Sequence, residues 1–76
     1  LHCYPNPSNG RFTIETTQGF KVLRVFDLSG KVIFETSNHY FSKYEIDLGS
    51  QKNGLYLIEV SFENGQFMRN KLLIGK

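Results

Sequence analysis

The chain has 76 residues, 39% of them hydrophobic, with nine basic and seven acidic side chains and a formal net charge of +2; that suits one small folded domain and excludes a multidomain enzyme or a disordered segment. The basic residues stand singly among the acids, so no cationic stripe exists to follow a phosphate backbone, and nucleic acid is not an expected partner. Apolar runs such as Leu55–Ile58 and Leu72–Ile74 stop at three or four residues, far short of the ~20 of a membrane-spanning helix, and a single cysteine, Cys3, rules out an internal disulfide.

The composition favours strands. Ala and Trp are absent, while Val, Ile, Thr, Phe and Tyr together number 24, the residue types that fit a pleated, half-buried surface. In chain order, a short strand at His2–Tyr4 is followed by Tyr4-Pro5-Asn6-Pro7-Ser8-Asn9-Gly10. There two prolines fix φ and the Asn and Ser side chains bond nearby backbone, which predicts a stiff bend. Asn6-Pro7-Ser8 is not a glycosylation acceptor, because proline holds its middle position. The Asn9-Gly10 turn leads into a strand over Arg11–Thr16 with Phe12 and Ile14 inward. Lys21–Asp27 carries Leu23 and Val25 on one face and Phe20, Val22 and Phe26 on the other; this predicts a central strand and leaves the inward face undecided. The loop Asp27-Leu28-Ser29-Gly30 closes a hairpin to Lys31–Thr36, where Val32 and Phe34 oppose Lys31 and Glu35. A weaker strand lies around Tyr40, and Tyr44, Ile46 and Leu48 oppose Glu45 and Asp47 in the next. Asn53-Gly54 leads into Leu55–Phe62, and Glu63-Asn64-Gly65-Gln66 predicts a hairpin with Asn64 and Gly65 at the centre of a type I′ turn, followed by a last strand through Ile74. Six or seven strands in an antiparallel β-sandwich follow. For a chain of 8.8 kDa, area scaling predicts roughly 13,000 Å² exposed when extended and roughly 5,000 Å² when folded.

Chemistry-bearing residues are sparse. A nucleophile needs a base within hydrogen-bond reach, but His2 and Cys3 are neighbours on an extended segment and point to opposite faces. His39 could approach Cys3 only through the fold. Cys3, His2 and His39 match no metal-ligand spacing, and Asp27, Glu45 and Asp47 do not form a dense calcium loop. No catalytic residue, metal or cofactor is expected. Tyr40, Phe41 and Tyr44, beside Asn38 and His39, have the ring faces of a sugar-binding platform, although a domain lacking Trp and Ala must also fill its core with such rings.

The order of the motifs resembles a family. Tyr4-Pro5-Asn6-Pro7 followed by Gly10, then Phe12-Thr13-Ile14, then Asp27-Leu28-Ser29-Gly30-Lys31, then Ile46-Asp47-Leu48, then Gly54-Leu55-Tyr56, then Lys71-Leu72-Leu73-Ile74-Gly75-Lys76 is similar to the C-terminal sorting domain of the type IX secretion system, the Por secretion tail of type A. The resemblance covers essentially the whole chain. It implies an immunoglobulin-like β-sandwich, excised here from a larger cargo protein of Bacteroidetes, that is not an enzyme. It further implies that an ordinary leader takes the cargo to the periplasm and that secretion components, including an outer-membrane shuttle, carry it to the cell surface or beyond. A sortase-like peptidase then usually removes the domain. The chain begins at Leu1 with no initiator Met or leader of its own, as expected of a piece of a longer protein.

Sandwiches expose strand edges that partners can pair with, so the last strand, with Lys71, Leu72, Leu73, Ile74, Gly75 and Lys76, is the expected recognition surface. Leu73 should face outward from Leu72 and Ile74. The same edges make a weak homodimer plausible. The competing expectation is an immunoglobulin-like or fibronectin-like accessory module that binds carbohydrate or spaces the domains of a secreted enzyme.

Overall fold

A computed structural model describes residues 1–37 and 42–76. Among them are seven strands and no helix: β1 (His2–Tyr4), β2 (Arg11–Glu15), β3 (Val22–Phe26), β4 (Val32–Ser37), β5 (Lys43–Asp47), β6 (Gly54–Ser61) and β7 (Phe67–Ile74). The strand expected around Tyr40 lies outside the described residues. The strands form two antiparallel sheets in the orders β1-β2-β5 and β4-β3-β6-β7. The chain changes sheet between β2 and β3 and again after β4 and β5, which is the connectivity of an immunoglobulin-like sandwich. The exposed area is 4787 Å², close to the size-based expectation.

The core lies between the sheets and is built by alternation. Cys3, Phe12, Ile14 and Ile46 from one sheet meet Leu23, Val25, Tyr56, Ile58, Val60, Leu72 and Ile74 from the other, joined by Phe20, Leu48 and Phe62 from the ends. The undecided strand is resolved. β3 is an interior strand, Leu23 and Val25 face the core, and Val22 and Phe26 lie half-buried on the outer face. Phe20 enters the core because it precedes the strand and is not bound by its parity.

Two local expectations are corrected. Val32 is 43% exposed and not inward: β3 pairs Val25 with Phe34 but Phe26 with Val32, so Ile33 is a bulge residue that shifts the alternation. Ile33 and Phe34 pack on the core in its place. The β6–β7 turn is not type I′. The Gly65 N–H donates to the Phe62 carbonyl (3.0 Å) and the Phe62 N–H to the Gln66 carbonyl (2.8 Å), so Glu63 and Asn64 are the central turn residues. Gly65, with φ +87°, takes the left-handed position that follows. The β3–β4 loop repeats this geometry: the Gly30 N–H reaches the Asp27 carbonyl (3.0 Å), the Asp27 N–H reaches the Lys31 carbonyl (2.9 Å), and Gly30 has φ +88°.

Candidate recognition surface

The segment after β1 crosses from one sheet to the other and fastens onto β7. The Asn6 side chain donates from Nδ2 to the Lys71 carbonyl (3.0 Å), while its Oδ1 accepts from the Leu73 N–H (3.1 Å). One amide thus supplies the donor and acceptor that a neighbouring strand would. The Ser8 N–H then donates to the Leu73 carbonyl and the Gly75 N–H to the Ser8 carbonyl, both at 2.8 Å, which makes a parallel bridge between Ser8 and Ile74. Pro5 and Pro7 flank Asn6 and lack N–H groups that would otherwise need partners along this path. The edge of β7 expected to be open is therefore covered over Lys71–Gly75 by the chain itself.

The side chains of β7 divide as the pleat requires. Leu72 and Ile74 are 0% and 1% exposed, whereas Leu73 is 45% exposed on the outer face. Lys71 and Lys76 are exposed. Lys76 is drawn back over the β5–β6 loop: its ammonium donates to the carbonyls of Gly49 and Gln51, and its N–H donates to Asn53 Oδ1 at 3.1 Å.

The other motif residues shape turns. Gly10, with φ +110°, lies against the loop after β5; a Cβ there would sit 2.8 Å from Gly49 Cα. Asp27 Oδ1 accepts from Ser29 N–H (2.9 Å), Ser29 Oγ (2.6 Å) and Lys31 N–H (3.0 Å), and the Ser29 hydroxyl before all holds its carboxyl below the usual range. Gly54 opens β6, and two residues on the Tyr56 hydroxyl donates to the Lys52 carbonyl at 2.6 Å. A tyrosine at the start of the sixth strand bonding backward to its own loop is the tyrosine corner of immunoglobulin-like sandwiches, which gives the Gly-x-Tyr motif a physical reason.

The outer face of the four-stranded sheet is where motif positions and exposed apolar side chains meet. Cross-strand pairing places Glu35, Arg24, Glu59 and Arg69 in one row. Arg24 is paired with Glu35 and reaches Glu59 Oε1 at 3.4 Å, and Arg69 Nε donates to Glu59 Oε2 at 2.8 Å. The next row is Val32, Phe26, Leu57 and Lys71, and the one beyond pairs Leu55 with Leu73. Between them runs a groove of about 390 Å³ lined by Phe26, Leu28, Leu55, Leu57, Arg69 and Lys71 among others. Leu28, at the tip of the Asp27 turn, is 76% exposed. Sequence reasoning missed Phe26, Leu28, Leu55 and Leu57 as surface residues; for Phe26 the signal was the apolar content on both faces of β3.

Nothing among the described residues assembles a reactive centre. Cys3 is buried in the core, and burial pushes its thiol up to about 11, away from the thiolate a nucleophile requires. No three of the described His, Cys, Asp or Glu residues cluster as metal ligands. Tyr44 packs partly against the core, while Asn38, His39, Tyr40 and Phe41 lie outside the described residues.

A family model described as the secretion system C-terminal sorting domain matches residues 2–75. No curated protein matches the chain.

Proposed function

The chain belongs to the family of secretion-system C-terminal sorting domains, a family of type IX secretion signals and not of enzymes, and from this we propose that it is the excised tail of a larger cargo that crosses the periplasm before export. Membership implies interaction with the type IX machinery and passage over the outer membrane to the cell surface or the medium. Our reading adds an outer-membrane shuttle that carries the folded domain and a sortase-like peptidase that removes it. The observation that carries the reading is the match over residues 2–75.

Within the domain, we assign recognition to the outward side of β7, with Leu73 as an apolar contact and Lys71 and Lys76 orienting it. The exposure of Leu73 beside fully buried Leu72 and Ile74 supports this, because it separates the face of the strand that packs from the face that can be read. Deleting Lys71–Lys76 would remove Leu72 and Ile74 from the core together with any recognition residue, so truncation alone cannot separate the two roles. The test attaches residues 1–76 to a reporter bearing a periplasmic leader, in a bacterium with a working type IX system. The reporter should appear outside the cell, and mass spectrometry of it should find the tail removed. Substituting Leu73→Ser should leave the domain folded and the reporter in the periplasm. Retention of the reporter with the intact tail would overturn the sorting reading, and normal export of the Leu73→Ser fusion would overturn the assignment to β7.

A further inference from the structure

The groove beside Lys71 extends to residues far from β7 in sequence. Resting on the sorting reading, we propose that it is the docking site for a segment of the export machinery presenting an apolar side chain next to a carboxylate. A sheet with its core on one side ordinarily turns polar residues to solvent on the other. This sheet instead lays Phe26, Leu55 and Leu57 along the floor of a 390 Å³ groove and raises Leu28 at its wall, with Val32 and Leu73 alongside at 43% and 45% exposure. Contiguous apolar surface of this kind marks interaction sites, and a depression that takes one anchor side chain is how interfaces concentrate their affinity. Leu28 is held in place by its turn, since Asp27 Oδ1 fixes Ser29 and Lys31 on either side of the left-handed Gly30.

The charges select the occupant. Both carboxylate oxygens of Glu59 are engaged by arginines, Glu35 is engaged by Arg24, and Asp27 is committed to its own turn. The Lys71 ammonium, at the groove, makes no ion pair among the described residues. The groove's acids are thus satisfied internally and its unpaired charge is a cation, which suits a partner carboxylate placed beside the apolar anchor. A second copy docked through this face would bring the same paired carboxylates and nothing to meet Lys71. A neutral glycan would leave the cation unmatched.

Three reporter fusions and a crosslink test the groove. Leu28→Asp alters the exposed tip of a turn, Lys71→Glu reverses the unpaired charge, and Lys43→Glu makes the same charge change on exposed β5 of the other sheet. Leu28→Asp and Lys71→Glu should each lower the exported fraction about tenfold or more, the effect of losing one anchoring contact, with thermal unfolding of the purified domains unchanged. Lys43→Glu should export normally. A photoreactive residue at Leu28 should crosslink to a component of the outer-membrane export complex, and the Lys71→Glu change should abolish that product. Normal export of both groove variants, or a crosslink to a second copy of the chain, overturns the groove while the sorting reading stands. Export of a reporter lacking the whole tail overturns the sorting reading itself.

Discussion

Replacing Asn6 with Ala tests the idea that a single side chain acts as a strand against β7. The substitution removes both the Nδ2 bond to the Lys71 carbonyl and the Oδ1 bond from the Leu73 N–H. A net value of ~0.5–1.5 kcal/mol per hydrogen bond, taken toward the low end because Asn6 is exposed and water replaces part of the loss, gives a destabilisation of about 1–2 kcal/mol. For a domain of this size each kcal/mol moves the melting temperature by ~4–8 °C, so the variant should melt about 5–15 °C lower, read by circular dichroism near 215 nm as is usual for strands. The local readout is more specific. In hydrogen exchange followed by NMR, the Leu73 amide should lose protection first, ahead of the Leu72 amide. Leu73 protection unchanged in Asn6→Ala would refute the reasoning, whatever the melting temperature did.

Tyr56→Phe keeps the ring in the core and deletes only the bond to the Lys52 carbonyl; urea unfolding should show a loss of about 1–2 kcal/mol. Gly10→Ala forces a Cβ into the backbone of Gly49 at 2.8 Å on a residue with φ +110°, so it should cost more than Tyr56→Phe, about 2–4 kcal/mol in the same assay. Cys3 sets an alkaline limb. Its thiol ionises at about 11 when folded against 9.0 as the unperturbed value; the unfolded chain therefore loses its proton first, and stability falls as pH rises from 9 towards 11, by about 3 kcal/mol in all. A Cys3→Ala variant should lack that part of the slope. On the acid side, Asp27 and Asp47 are held below their ordinary 3.8, by the Ser29 hydroxyl and the Gly49 N–H foremost. Their contribution is complete above that pH and is lost as the folded carboxylates protonate below it, so unfolding at pH 2–4 should show less pH dependence in Asp27→Asn and Asp47→Asn.

Where alternation governs, the sequence was a sufficient guide: Phe12, Ile14, Ile46, Leu48, Leu72 and Ile74 are buried because each belongs to an unbroken two-residue period. The expectation failed at Val32, where one extra residue in β4 reverses the faces, and a bulge leaves no mark in the pattern of residue types. At Asn64-Gly65 the pair is compatible with two turns. Gly30 and Gly65 hold the same place in their loops, so the glycine spacing from the preceding strand was the better clue. The proposed recognition surface was legible only in part. The outward position of Leu73 follows from the pleat, but the contact of Asn6 with residues 65 and 67 positions away is set by the crossing of the chain between sheets, which no local window contains. The face of Phe26 stayed undecided in the sequence because a two-sided apolar strand looks the same whether its second face meets protein or solvent.

The clasp joins the beginning of the domain to its end, so this fold closes late in its own synthesis. Until Leu73 and Gly75 have been translated, Asn6 and Ser8 have nothing to hold, and the sheet of β3, β4 and β6 stands with one flank bare. A chain that stops short of Leu73 therefore leaves the clasp open, and the domain closes only when its first and last segments are both present.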